Sequence, residues 1–600
     1  MTRAIAVAVS LPRLELDKRF TYLVPDGLDA PLGSLVSVRF HGRTVHGYSL
    51  GETSDVPARV LPISRALSKR PLFDLRGLHL AMGLADRYVV PLAVALATLH
   101  PPRVASEEVP AAPPIEVPVP GVAGVLAGYE RGGELLDAVR EGSGAFVVRP
   151  LPDEEATACV EAVAACVAGG RDAIVAVPEL DPLPATARAV LDAFGESAVL
   201  FAGGGKRARY RTWLDVLDGR YRVVVGTPPA SLALVRRLGL VWVHRDAHAA
   251  HREERSPRYH AREVAVARVR LEGAVCVLAG IAPSAAAAAA ADAGTIGLVQ
   301  PPRARERAAA PLVETASSEA EDRSPRLTAL LRERRGGVLL LTRAGFGVAR
   351  RCRRCGEPAR CGACDGPIVV REGSPACAVC GTPGRCTSCG AAEFGVERGG
   401  TERIAEWVSR LSPLPVVRVE EGAEATPPGP DRIVVGTAAA VKDFGPRRTG
   451  LVGILDADRA RRRPGLGAAE QTLAIWMESA AWAGPRAEGG RVLVHTREAG
   501  DPAVQALVRW DPMRFHRGER RRLAEAGFPP GFPVFRVIGG PGLEEALREG
   551  DPVHLLAAPR QDETLCLVTV HPEAISPFRE RILELVAGGV VSRIESEPQL

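Results

Sequence analysis

At 600 residues the chain is too long for a single hydrophobic core, and its length predicts about three to five domains. Hydrophobic residues make up 46% and charged residues 24%, the balance of an ordinary soluble globular protein, which excludes a disordered or membrane-embedded chain. A net charge of +5 is too small to imply a partner, and the scarcity of lysine (Lys18, Lys69, Lys206 and Lys442 among 76 basic residues) reads most simply as codon bias.

In chain order, MTRAIAVAVSLPRLELDKRF alternates apolar and polar positions as a strand does. It has no long apolar run with a cleavage site, so no secretory signal is expected, and a cytoplasmic, thiol-reducing setting is. LHLAMGLADRYVVPLAVALATLH is interrupted by Asp86 and Arg87, which predicts a packed helix pair or a helix and strand instead of a membrane span. Pro-rich stretches at 101–121 and 300–326 predict linkers or exposed connections. Between them, short runs such as DAIVAVPEL, YRVVVGTPPA, LGLVWV and AVCVLAG alternate with helical segments such as PLPATARAVLDAFG, the pattern of a parallel α/β sheet. The pattern resumes in GGVLLLTRAGFG, TERIAEWVSRL, DRIVVGTAAA, TGLVGILDAD and GGRVLVHT. Residues 222–243 and 432–455 echo each other as strand, Gly-Thr, helix, turn, strand, which predicts two related α/β lobes. Residues 511–600 predict a smaller α+β unit.

Eight of the twelve cysteines form four CxxC pairs: Cys352/Cys355, Cys361/Cys364, Cys377/Cys380 and Cys386/Cys389. Each such knuckle presents two thiolates to one tetrahedral Zn²⁺, so four predict two closed, structural sites with no open coordination position. With little aliphatic content around them, metal binding supplies most of the folding free energy. A disulfide framework fits neither the knuckle spacing nor a reducing compartment. Spacing alone leaves both nested and sequential pairing of the knuckles open. Cys159, Cys166, Cys276 and Cys566 stand alone and are expected to be packed.

LLLTRAGFGVARRCRRCG, the four knuckles and RGGTERIAEWV together resemble the primosomal replication restart helicases, the PriA (primosomal protein N′) family. The resemblance covers nearly the whole chain. VSLPRLELDKRFTYLVPDGL and GSLVSVRFHGR are similar to that family's N-terminal domain for 3′ DNA ends, RYHAREVAVAR to the stretch after its second helicase motif, and ERRRLAEAGFPPGFP to the entry to its C-terminal domain. It implies a multidomain α/β fold with a β-rich N-terminal 3′-DNA-end-binding domain (1–104) and a Pro-rich linker (105–125) too short for the family's winged helix. Next come a first RecA-like helicase lobe (126–300), a linker and the start of the second lobe (301–350), an inserted double zinc-binding module (351–391), the rest of the second RecA-like lobe (392–510) and a small α+β C-terminal domain (511–600). The resemblance also implies nested zinc sites, with Cys352, Cys355, Cys386 and Cys389 on one ion and Cys361, Cys364, Cys377 and Cys380 on the other.

A phosphate loop needs glycines for close backbone approach, a lysine for the β/γ-phosphates and a Ser or Thr for Mg²⁺. The matching stretch here, RPLPDEEA at 149–156, has no glycine and carries Glu155 at the lysine position, where an anion repels a triphosphate. The family's acidic pair is reduced to Asp246 in LVWVHRDAHAAH, and one carboxylate cannot both hold Mg²⁺ and polarise water. Trp482 and Pro485 replace the second lobe's γ-phosphate arginines, with Arg486 one position off. These three departures predict a degenerate ATP site, no catalytic residue and no bound ATP. Two further features read as bland. The GGGK ending at Lys206 is followed by Arg207, not Ser or Thr, and predicts a surface turn. His244, His248 and His251 would converge on a metal only in a helix, and the preceding strand favours a loop. The family's aromatic, strand-sensing loop keeps only Tyr259 in AAHREERSPRYHARE.

Phe20 and Tyr22 stand where the family lines a pocket for the terminal nucleotide of a leading strand, where a ring stacks a base. The same alternation fits residues that fill one face of a strand. Thr21 replaces an acidic residue that contacts the 3′-hydroxyl, and Arg39 and Arg43 are candidate phosphate ligands. The densest basic runs, Arg459 with Arg461 to Arg463 and Arg514, Arg517 and Arg520 to Arg522, either track a DNA backbone or form solvated faces. The expected function is a replication restart protein that binds abandoned or stalled forks and single-stranded DNA. It would promote primosome assembly and replicative helicase loading with two structural zinc ions and without ATP-driven unwinding. Its expected partners are other primosome proteins, the replicative helicase or its loader, and single-strand-binding protein, in the cytoplasm at the nucleoid and with no membrane. The competing expectations are an active ATP-dependent 3′–5′ DNA helicase with a diverged ATP site, and a generic zinc-containing nucleic-acid-binding protein, which leaves the two lobes unexplained.

Overall fold

The computed structural model describes residues 3–121, 123–201, 203–317, 323–333, 335–341, 347–364, 366, 368–371, 374–377, 380–396, 400–461, 465–550, 552–559 and 563–598. Two compact units are present: Met1–Arg303 with Pro464–Ala474 and Pro512–Leu600, and Ala304–Arg463 with Ile475–Asp511.

The first unit opens with a five-stranded antiparallel sheet in the order Arg19–Val24, Arg3–Val9, Arg43–Glu52, Leu35–Phe40, Arg65–Ala66. Alternation in AIAVAV and LVSV puts Ile5, Val7, Val36 and Val38 on one buried face. The interrupted apolar stretch is a helix pair, Leu75–Tyr88 and Leu92–Thr98; Asp74 caps the first helix by accepting from the Gly77 N–H at 3.0 Å. The pair packs on the following lobe, and the Trp213 indole N–H donates to the Leu99 carbonyl at 2.9 Å.

The first Pro-rich stretch is laid down on that lobe and does not hang free. Glu107 and Glu108 are held by Arg207, Arg103 and Tyr210, and the Ile115 N–H donates to the Arg220 carbonyl at 3.0 Å. Prolines suit such a stretch because the missing N–H groups leave fewer donors to satisfy against the lobe.

The lobe is a seven-stranded parallel sheet in the order Gly297–Val299, Gly144–Val148, Val275–Ala279, Leu238–His244, Asp172–Ala176, Val223–Gly226, Ala198–Phe201. Its inner strands are buried on both faces, which is why they read as unbroken Val, Ile and Ala runs. A four-stranded antiparallel sheet closes the unit, in the order His554–Pro559, Thr564–Thr569, Val534–Gly539, Val591–Ser596. It is covered by helix Ile575–Ala587, with the Phe535 and Phe578 rings 4.8 Å apart.

The second unit holds a six-stranded parallel sheet in the order Leu312–Ala316, Arg491–His495, Leu451–Ile454, Gly337–Leu340, Ile433–Gly436, Val416–Val419. Here the prediction of a linker over 300–326 fails. LVETA within it is the edge strand Leu312–Ala316, and helix Pro325–Arg332 begins before the stretch ends. The prolines were misleading because they flank the strand, and Pro325 sits in the first helical turn, where its absent N–H costs nothing.

The Gly-Thr echo is structural. Val223–Gly226 and Ile433–Gly436 each run into a short 3-10 turn, Pro228–Leu232 and Ala438–Ala440, where a helix was predicted. A Cβ on Gly226 would stand 2.5 Å from the Phe201 carbonyl oxygen of the neighbouring strand, and one on Gly436 2.5 Å from that of Val419. The same backbone crossing is thus built once in each unit, and glycine is the residue that fits it. Among the described residues no helix is long and apolar enough to cross a membrane.

Candidate functional site

The cysteine module sits between strands Gly337–Leu340 and Val416–Val419 of the second sheet and is framed by short antiparallel strands: Ser374–Cys377, Ile368–Arg371, Gly347–Cys352 and Phe394–Val396. The four knuckles share a turn in which the first cysteine's N–H donates to a carbonyl five residues on: Cys352 to Glu357, Cys361 to Gly366, Cys377 to Thr382 and Cys386 to Ala391, at 2.8–2.9 Å. That turn leaves two thiols side by side. The structure brings Cys352, Cys355, Cys386 and Cys389 into one group and Cys361, Cys364, Cys377 and Cys380 into another, the Sγ atoms of each lying within 4.8 Å of one another.

The closest sulfurs are 3.6 Å apart for Cys352 and Cys389 and 3.5 Å for Cys355 and Cys386 in the first group, and in the second 3.5 Å for Cys364 with both Cys377 and Cys380 and 3.6 Å for Cys361 and Cys380. A tetrahedral Zn²⁺ with bonds of about 2.3 Å needs sulfurs roughly 3.8 Å apart. Both groups therefore fit a four-thiolate ion, and none of the eight cysteines is in a disulfide. The module's apolar interior amounts to little more than Ile368, Ala359 and Phe394 besides the cysteines. Such a core is too small to fold the segment alone. Cys159, Cys166, Cys276 and Cys566 are buried, and burial pushes the Cys166 thiol up to about 12.

In the first unit, strand Gly144–Val148 runs through a glycine-free turn into helix Glu155–Ala168, the strand–turn–helix layout of a phosphate loop. The turn's groups are already engaged. The Leu151 N–H donates to the Tyr129 hydroxyl at 2.8 Å, that hydroxyl donates to Glu154 at 2.6 Å, and the Glu154 N–H donates to the Leu151 carbonyl. Glu155 points at Arg245, with Oε2 3.3 Å from Nη2 and the two side chains only 8% and 5% exposed. Arg149 is buried as well and donates to Gln300 at 3.0 Å.

Asp246 is fully buried and accepts from the Ser284 N–H at 3.1 Å and from its hydroxyl at 2.5 Å, with Arg262 3.9 Å away. Burial pushes its carboxyl above the usual range, and Arg262 and Ser284 oppose that. Ser284 in turn caps helix Ala285–Asp292. Both Asp246 oxygens are therefore spent on protein.

The three histidines do not converge. His244 ends a strand, His248 accepts from the Ala250 N–H at 3.2 Å, and His251 donates from Nε2 to the His244 carbonyl at 2.6 Å. Lys206 opens helix Lys206–Leu217 after an exposed turn. In the second unit Trp482 is buried near Phe444, its carbonyl accepting from the Thr449 N–H at 2.9 Å. Pro485 precedes the turn Arg486–Glu488, which leaves Arg486 exposed.

Of the candidate DNA contacts, Tyr22 must be corrected. It is 4% exposed and its hydroxyl donates to the Arg39 carbonyl at 3.0 Å, so it fills the sheet's inner face and offers no stacking surface. Phe20 is half-buried, edge-on to Phe40 with centroids 4.9 Å apart, and the Thr21 hydroxyl donates to the Asp55 carbonyl. Arg39 and Arg43 are exposed at one hairpin.

The basic runs are neutralised in part. Arg459 pairs with Asp456, Arg461 with Asp458, Glu498 and Asp501, Arg517 and Arg520 with Asp292, and Arg522 with Glu519. Arg462 and Arg463 lie outside the described residues. The pair Glu155–Arg245, 90 positions apart in sequence, is not anticipated by sequence reasoning.

Residues 6–101 match the PriA 3′ DNA-binding domain (3′BD) family. Over 92% of this chain and 89% of its own, the probable replication restart protein PriA of Mycobacterium tuberculosis (strain CDC 1551 / Oshkosh) is 34% identical. That of Treponema pallidum is 29% identical over 87% and 85%, and that of Bacillus subtilis 25% identical over 62% and 50%. Among solved structures, RecG bound to a three-way DNA junction aligns with 67% of this chain and 49% of that chain at 12% identity and a TM-score of 0.36, too low to bear on the fold. With two parallel α/β sheets, paired four-cysteine groups inside the second and a 3′ DNA-binding domain at the start, and with 34% identity along nearly its whole length, the chain belongs to the PriA family of replication restart proteins.

Proposed function

We propose that the chain recognises abandoned or stalled replication forks and promotes primosome assembly and replicative helicase loading without ATP-driven unwinding. The observation that carries the second half is the buried Glu155–Arg245 pair at the phosphate-loop position. A triphosphate there would meet a carboxylate where it needs a cation, and Arg245 is already neutralised. Asp246 is fully buried and each of its oxygens accepts from Ser284, so it presents no open carboxylate to Mg²⁺.

The eight knuckle cysteines hold two structural Zn²⁺ ions, one per group, which fix the module's shape and supply no reactive position. Fork recognition begins at the N-terminal sheet, where Phe20 is the ring that offers a face to a terminal base and Arg39 and Arg43 hold phosphates. Other primosome proteins, the replicative helicase or its loader, and single-strand-binding protein are the partners this role requires, at the cytoplasmic nucleoid.

The test is binding of fluorescent forks that differ only in whether a 3′ end lies at the branch. A fork with the 3′ end should bind more tightly, and Arg39→Glu with Arg43→Glu should erase most of the preference. Equal affinity for both forks in the unaltered protein would contradict the proposal.

A further inference from the structure

The first unit contains a cavity of about 820 Å³ that none of the groups above uses. One wall comes from the 3′ DNA-binding domain, with Leu11 and Val94; the other comes from the ends of the lobe's parallel strands, with Leu180, Phe201 and Thr227. The carboxyl ends of parallel strands are where α/β sheets receive ligands, and the volume suits a small organic group with room for its neighbours. The walls are fixed. Trp213 is tied to Leu99, and the His100 ring lies between the Tyr48 hydroxyl and the Pro101 carbonyl, both at 2.9 Å.

Most of the lining is apolar, but Arg209 and Arg255 also line it, both exposed. Neither guanidinium has an ion-pair partner among the described residues, whereas nearby Arg207, Arg211 and Arg258 are each tied to a carboxylate. The one carboxylate in the lining, Glu253, accepts from the Arg255 backbone N–H at 3.2 Å. With two guanidiniums against the single carboxylate of Glu253, the apolar slot keeps a positive excess, complementary to a flat apolar group that carries negative charge.

We propose that this cavity receives an unpaired nucleotide of a single DNA strand, its base beside Phe201 and Val94 and its flanking phosphates on Arg209 and Arg255. The inference rests on the fork-binding reading and adds a second DNA site to it. A strand that leaves the 3′ DNA-binding domain for the lobe passes this slot, because the two form its opposite walls. Arg209 lies in the first turn of the helix that follows the GGGK turn, and Gly203 of that turn lines the cavity, so the motif that fails as a nucleotide loop serves as part of a DNA-strand site.

The test uses the full-length protein, a labelled oligothymidylate and an abasic strand of equal length. The unaltered protein should bind the thymidine strand about tenfold more tightly than the abasic one, as expected for one stacked base. Val94→Trp, which fills the slot and leaves the charge alone, should remove most of that ratio. Arg209→Ala with Arg255→Ala should weaken both strands and reduce the log–log salt slope by about 1.4, two single-strand phosphates' worth.

An unchanged base-to-abasic ratio in Val94→Trp, or an unchanged salt slope in the arginine pair, overturns the inference. A blunt-armed fork with no single-stranded segment separates the two readings. If the unaltered protein fails to bind it, the fork-binding reading is wrong; if it binds while Val94→Trp still discriminates, only the cavity assignment is wrong.

Discussion

Glu155 and Arg245 show how one buried charge requires another. A glutamate 8% exposed at the start of a helix is costly alone, and an arginine 5% exposed beside it removes that cost. Glu155→Ala should therefore destabilise the first unit by about 1.5–3 kcal/mol, since it takes a charged hydrogen-bond partner from a buried guanidinium. The joint replacement Glu155→Leu with Arg245→Met should cost about 1 kcal/mol or less. Urea unfolding of the two variants checks this, and equal losses would mean that the pair does not act as a unit. His251 makes a second prediction. Burial, the largest cause, pushes it down to about 3, and His244, His248 and Arg262 add to the depression while its bond to the His244 carbonyl opposes it. Between pH 6.5 and about 3 the unfolded chain binds a proton that the folded one refuses, so this residue makes stability fall as pH falls through that window. His251→Gln should flatten the acid side of the stability profile by up to about 1.4 kcal/mol per pH unit. In NMR spectra the His251 ring signals should not titrate above pH 4.

At the scale of elements, the knuckles were the most legible part of the sequence, because a CxxC turn is local and its two thiols are placed by one backbone hydrogen bond. Which knuckles share a group was not legible from spacing; the short strands around them decide it. Metal analysis should give two zinc ions per chain, with Cys386→Ala and Cys361→Ala each retaining one. A chelator should make residues 347–396 sensitive to protease while the parallel sheets stay folded. One ion in the unaltered protein, or loss of both in each variant, would contradict two separate sites. The parallel strands were equally readable, as unbroken apolar runs between helices. The strand Leu312–Ala316 was not, because it lies at a sheet edge, has only partial burial and is framed by proline. Tyr22 was ambiguous for a related reason. Alternation marks which residues share a face, and the structure supplies which face is buried.

For the whole molecule, the sequence predicts a degenerate ATP site, and the structure shows how the residues at those positions are engaged. In the first unit the phosphate-loop turn is bound by Tyr129 and Glu155 by Arg245, and Asp246 serves Ser284. In the second, Trp482 is a packed core residue. These contacts were not readable beforehand because they join residues 90 and 38 positions apart in sequence. A 3′ DNA-binding domain, two folded lobes and a metal-fitted module are the parts on which the proposed fork binding draws. The central claim is therefore restart without a motor. It is tested most directly by ATP hydrolysis of the purified, zinc-loaded protein, with and without forked DNA. The account predicts no turnover above a protein-free control in either case, with the forks still bound. Hydrolysis stimulated by forked DNA and abolished by Asp246→Asn would contradict it.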